Sequence, residues 1–149
     1  MTVERLSPHF TLREMTNSAT ATRLGIDNSP PQDILANLRT LASNMERVRV
    51  ILGNVPVVIT SAYRCLALNN ALKGAKNSSH LTGLAADFVV PKFGSARQVA
   101  VAIRDSDLKF DQLIYEIVGA SQWVHLGFEA RMRGDVMTYR NGIYIKGIA

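Results

Sequence analysis

Two histidines and one aspartate carry the strongest chemical signal in this chain. His80 and Asp87 stand seven positions apart in "NSSHLTGLAADF", residues 77–88, and His125 lies in "WVHLGF". Two imidazoles and a carboxylate are the ligand set of a catalytic zinc site, with the fourth tetrahedral position left for water. Gly83, Ala85 and Ala86 are small enough for loop and strand to approach so closely that His80 and Asp87 share an ion. Taken alone, His125 fits better a core histidine bonded to a backbone carbonyl, because a buried imidazole needs partners for its nitrogens. A His-x6-Asp spacing is common by chance, so the three residues count only as a set. The remaining histidine, His9, belongs to an N-terminal arm over residues 1–30 and is not expected to be a ligand.

The elements that must position these groups are legible in the patterning. "IDNSPPQD" is the strongest punctuation; Asn28 or Ser29 is expected to cap a helix whose first turn accommodates the prolines. Leu35, Leu38, Leu41, Met45, Val48 and Leu52 then recur at helical steps and predict one buried face. "VPVVITSAYR" is β-branched and reads as a strand, "CLALNNALKG" as a short helix ended by Gly74, and "AADFVV" as a second strand. "SARQVAVAIRDS" is an amphipathic helix with Ser95 as its cap. "FDQLIYEIV" and "QWVHLGF" form a hairpin across Gly119-Ala120, and a weaker hairpin turns at Asn141-Gly142. Helices first and mostly adjacent strands afterwards predict an α+β fold, a small antiparallel sheet flanked by helices. His80 then falls in a loop, Asp87 within a strand and His125 in mid-strand.

The bulk properties bound the function. A chain of 149 residues, 47% hydrophobic and 19% charged, is most simply one soluble domain able to bury a core without disulfides. Its single cysteine, Cys65, forms no internal bridge and has no basic or histidine partner in the context of a known cysteine nucleophile, so it reads as a small packed thiol. "MTVERLSPHFTLREM" is too polar for a secretory leader, and no apolar run is long enough for a transmembrane segment. Seventeen basic residues against 12 acidic give a net charge of +5. The basic residues are scattered, densest in "RMRGDVMTYR", and no nucleic-acid motif accompanies them. Such a surface suits an anionic envelope as well as a nucleic acid, and no specific nucleic-acid partner is expected.

The combination "SAYRCLALNNALKGAKNSSHLTGLAADF", "FDQLIYE" and "WVHLGF" resembles the zinc D-alanyl-D-alanine carboxypeptidase family, in the branch common among bacteriophage lysis and virion proteins. The opening "LSPHFTLREMTNSATATRLGIDNSPP" is similar to that branch as well, so the likeness spans nearly the whole chain. It implies the fold shared with the hedgehog signalling domain and cleavage beside D-amino acids in peptidoglycan. Carried over by position, His80, Asp87 and His125 are the zinc ligands, and Arg64 of "SAYR" binds or polarises a substrate carbonyl or carboxylate. Ser78 supports the metal loop. The resemblance further implies a monomer acting on the cell wall, released from a host cytoplasm through a membrane pore or carried on a virion.

The sequence departs from the family pattern at one point. Many relatives place an acidic general base three positions before the last histidine, where this chain has Gln122. Glu116 is the substitute. With the hairpin turning at Gly119-Ala120, Glu116 falls opposite Trp123 and Ile114 opposite His125, which makes Glu116 and His125 diagonal neighbours on one face. A one-residue bulge would reverse that placement. Trp123 reads as packing beside a ligand and Tyr63 as packing or cleft lining; both, with Gln122, count among the supporting residues. The departure at Gln122 leaves an alternative open, in which fold and metal are kept but the protein acts as a wall-binding or virion module.

Overall fold

A computed structural model describes residues 4–149. The N-terminal segment forms a two-stranded antiparallel ribbon, β1 (Arg5–Ser7) and β2 (Phe10–Thr11), followed by two short helices, α1 (Leu12–Thr16) and α2 (Ala19–Leu24). Thr11 closes a reciprocal capping box with Glu14, which fixes the start of α1 in so short a piece. Phe10 and Met15 are fully buried in the main core, so this segment is part of the packing.

The long helix α3 (Gln32–Ile51) buries Leu38, Leu41, Met45 and Val48 of the anticipated stripe together with Ala42, while Leu35 is half-buried and Leu52 caps the helix. Its start differs from expectation. Pro31 occupies the cap position with no side-chain bond, and Asn28 has a different task. The buried Asn28 amide donates to the carbonyls of Thr16 and Tyr63 at 2.9 and 3.0 Å and accepts from the Cys65 N–H at 2.8 Å. It thus brackets Arg64 from both sides in sequence. Three bonds to backbone groups that have little other access to partners outweigh one cap.

After α3 come β3 (Val58–Ser61), α4 (Leu66–Ala71), β4 (Ala85–Val89), α5 (Ala96–Arg104), β5 (Gln112–Val118), β6 (Ser121–Gly127), β7 (Asp135–Arg140) and β8 (Ile143–Lys146). Ser95 caps α5 in a second capping box with Gln98. The six later strands form one sheet in the order β3-β4-β6-β5-β7-β8. All pairs are antiparallel except β5 with β7, which run parallel because residues 128–134 carry the chain across the end of β5. The fold is α+β, as the patterning predicts, with a mixed sheet.

Phe88, Tyr115, Ile117, Val124 and Leu126 point to one face of the sheet and pack with α3 and α5 into the core. The opposite face carries the polar strand residues. Two-residue alternation along β4, β5 and β6 therefore sorts core from site.

Gly83 fits the loop between His80 and Asp87 against α3. Its φ is +75°, and an added Cβ would meet Ile34 Cγ2 at 3.1 Å and Leu38 Cγ at 3.3 Å. Both the left-handed backbone and the close approach require glycine. Gly83→Ala is expected to lower stability by about 1–3 kcal/mol, the cost of a non-glycine residue in a strained conformation. Denaturant midpoints of the metal-free proteins check this; an unchanged midpoint would mean that the loop does not depend on this contact.

Candidate metal centre and active site

The site is built on cross-strand pairs. Asp87 on β4 is the direct partner of His125 on β6, which in turn pairs with Ile114 on β5. One step along, Trp123, Glu116, Tyr139 and Tyr144 stand in a row across β6, β5, β7 and β8. Residues in register share a face, so both rows project to the side away from the helices. His80 enters from the loop before β4.

His80, Asp87 and His125 each offer a donor atom within 4.8 Å of the others, and all three residues are buried. Asp87 Oδ1 lies 3.2 Å from His80 Nε2 and 2.9 Å from His125 Nδ1. Tetrahedral zinc with nitrogen and oxygen ligands separates neighbouring donors by about 3.3 Å, so little movement is needed to hold the ion. The tautomer of His80 is fixed from behind. Its Nδ1 lies 2.6 Å from the Ala62 carbonyl, which can only accept, so Nδ1 carries the proton and Nε2 presents a lone pair to the centre. Ser78 Oγ accepts from the His80 N–H at 3.2 Å and holds the loop in its turn.

Charge is balanced locally. Burial acts to raise the Asp87 carboxyl, but the neighbouring imidazoles outweigh it and hold the group well below the usual carboxylate range. Burial acts to lower His125, and its bond to Asp87 together with the charges of Asp87 and Glu116 outweighs that and raises it. Arg64 adds a cation at the rear, with NH2 3.6 Å from Asp87 Oδ2. Its Nε donates to Ser61 Oγ and NH1 to Asn69 Oδ1, so the guanidinium is held from two sides.

Glu116 is on the same face, where the hairpin register anticipated from the sequence sets it opposite Trp123. No bulge interrupts β5 and β6. Burial, and after it the negative charge of Asp87, pushes the Glu116 carboxyl up to about 7. Trp123 lines the same cavity. Its indole N–H leans toward Glu116 and opposes the rise, yet is buried without closing a hydrogen bond.

One supporting assignment is corrected by this geometry and a second is narrowed to packing. Gln122 pairs with Ile117, so its side chain projects to the core face, where its Oε1 accepts from the Tyr115 hydroxyl at 2.7 Å. A side chain at 122 is one residue out of phase with Trp123 and cannot face the three ligands. Tyr63 is packed in the core, with its N–H donating to the Met15 carbonyl, and does not line the cavity. His9 is held by Glu46, at 2.6 Å, away from the site.

The cavity over these residues measures about 520 Å³ and is lined at one side by Asn77, Ser78 and Ser79 and at the other by Arg131, Arg133 and Tyr139. The last three come from "RMRGDVMTYR", the densest basic stretch of the sequence. That cluster was the available signal for them, but nothing in one dimension ties it to His125.

No curated protein matches the chain in sequence. A family model described as Peptidase M15 matches residues 8–127, which contain all three converging donors, Arg64 and Glu116. That match covers most of the chain, and the donor set beneath the cavity is the one a zinc peptidase requires. By family and by donor set, the chain belongs to the M15 peptidases, zinc metallopeptidases of the D-alanyl-D-alanine carboxypeptidase type.

Proposed function

We propose that this protein hydrolyses peptide bonds beside D-amino acids in the stem peptides or crosslinks of peptidoglycan, as a bacteriophage lysin or virion-associated wall hydrolase. The observation that carries the reading is the shared face. His80, Asp87 and His125 converge on one point, and Glu116 lies diagonally beside them in the same cavity.

The three converging side chains would hold zinc, which when bound supplies a Lewis acid for the scissile carbonyl and an acidified water. Glu116 accepts the proton of the attacking water and returns it to the leaving amine. Burial and the negative charge of Asp87 raise its carboxyl and a bound divalent cation would lower it again, which leaves a carboxylate able to accept a proton from water and to release it to the amine. Arg64, fixed by Ser61 and Asn69, supplies positive charge for developing negative charge on the substrate, or a two-pronged hold on a terminal carboxylate. Ser78 keeps the His80 loop in place. Trp123 walls the cavity beside Glu116 and limits water there.

The positive balance of +5 suits attraction to an anionic envelope, and no helix among the described residues is long and apolar enough to cross a membrane. The wall-binding alternative drew its support from Gln122. Gln122 lies on the sheet face opposite the ligands, and Glu116, which does line the cavity, is the carboxylate that favours hydrolysis over binding alone.

Purified peptidoglycan incubated with the zinc-loaded protein tests the reading. Free D-alanine among the products, identified by mass, would mark a carboxypeptidase, and larger peptides an endopeptidase. Intact wall that retains bound protein would contradict hydrolysis and favour the binding module.

A further inference from the structure

Asp111, just before β5, is 1% exposed, and its carboxylate gathers two arginines from the segment that follows β6. Arg133 forms a fork on it, with Nε 2.9 Å from Oδ1 and NH2 3.1 Å from Oδ2, and its backbone N–H donates to Oδ1 at 3.1 Å. Arg131 donates to Oδ2 through Nε alone, at 3.1 Å. Burial acts to raise Asp111 but the arginine bonds outweigh it, so the carboxylate stays charged.

One fork is enough to satisfy a buried carboxylate. The second arginine is therefore surplus to that need, and the chain strains to bring it there. Met132, between the two, has φ +40°, a left-handed conformation that a side chain of this kind rarely adopts. Through it both arginines reach the same carboxylate and the same cavity mouth. Among the described residues the two terminal amines of Arg131 have no protein partner, and the side chain is 57% exposed. Of the acids flanking this pair in sequence, Asp135 accepts from Gln112 at 3.2 Å and Glu129 from the Thr82 hydroxyl at 2.8 Å. Arg64 already serves the ligand end of the cavity, beside Asp87.

We infer that Arg131, braced with Arg133 on the buried Asp111, is a specificity residue that binds a carboxylate of the peptide substrate away from the bond that is cut. This rests on the peptidase reading above and adds a second anchor to it. Wall peptides carry free carboxylates along their length besides the terminal one. An anchored guanidinium with both amines free matches such a group with two parallel hydrogen bonds. An acid at that place in the substrate gains contacts that its primary amide cannot make, because a guanidinium has only donors to offer.

The test uses short peptides ending in D-alanine, with each internal carboxyl present either as acid or as primary amide. Dissociation constants are measured by calorimetry on the zinc-loaded full chain carrying Glu116→Gln, and KM on zinc-loaded wild type. One internal acid is expected to bind about tenfold more tightly than its amide, the scale of a single charge-assisted contact. Arg131→Gln added to the same protein should bring that ratio close to one, since the Arg133 fork still holds Asp111 and the loop. Asp111→Asn should also shrink the ratio although both arginines remain, which a purely structural role for the loop would not do. An acid-to-amide ratio near one in the starting protein, a ratio that Arg131→Gln leaves unchanged, or no binding of any peptide overturns the subsite. Failure of wild type to cleave any of the peptides, alongside an Arg131-dependent preference in binding, would sink the peptidase reading and leave the subsite standing.

Discussion

Glu116→Gln is expected to keep the fold and bind zinc but to lose roughly 10²-fold or more in turnover, the usual scale of a general-base contribution. Glutamine matches glutamate in shape and stays within the row of Trp123, Tyr139 and Tyr144, so the packing of β5 is preserved. What disappears is the only carboxylate on that face that is not among the converging donors, among the residues lining the cavity. The pH profile gives a second readout. A general base at Glu116 would act in its deprotonated form, so kcat/KM should rise with pH as the group loses its proton, and burial pushes its carboxyl up to about 7 without a metal beside it. A divalent cation beside it stabilises the charged form and moves that rise to lower pH. The rising limb should vanish in Glu116→Gln. Gln122→Glu combined with Glu116→Gln should not restore activity, because position 122 projects from the sheet face opposite the ligands and its oxygen is bound to Tyr115. Restored cleavage in that double variant, or full activity in Glu116→Gln, would mean that another group takes the proton.

Loss of any one converging donor should be as severe for the metal. His125→Ala removes one of three ligands and leaves Asp87 a buried carboxylate with one imidazole and the Arg64 guanidinium 3.6 Å away. Two protein ligands do not complete a catalytic zinc site, so affinity should fall by on the order of 10²-fold or more. His80→Ala has a further consequence, since the Ala62 carbonyl loses the Nδ1 proton that it accepts at 2.6 Å. Elemental analysis after dialysis against a weak chelator reads both variants. A full complement of zinc in His125→Ala would remove the metal centre from these three residues.

Much of this site could be read from one dimension because strands have a strict two-residue alternation. The turn at Gly119-Ala120 fixes the hairpin register, and from it the pairing of Glu116 with Trp123 and of Ile114 with His125 follows. The same alternation applied to Gln122 places it on the core face, which the family comparison of an acid three residues before the histidine tends to obscure. Arg131 and Arg133 were legible only as a basic cluster. Their link to the cavity depends on Asp111, 20 and 22 positions earlier, and on the parallel pairing of β7 with β5, neither of which local patterning encodes. The role of Asn28 is hidden in the sequence for a similar reason. A residue that looks like a helix cap by position was recruited by the backbone of Tyr63 and Cys65, contacts 35 and 37 positions away. Long-range polar contacts of this kind have no periodicity to betray them.

The central claim is that one zinc held by His80, Asp87 and His125 makes this chain a peptidase. The most direct measurement strips the protein of metal and titrates zinc back while cleavage of a D-alanine-terminated wall peptide is followed by mass. Cleavage should be absent without metal and rise in proportion to added zinc, reaching a plateau at one ion per chain. Cleavage that survives stripping, or one bound zinc per chain with no cleavage of the peptide or of intact wall, would contradict it.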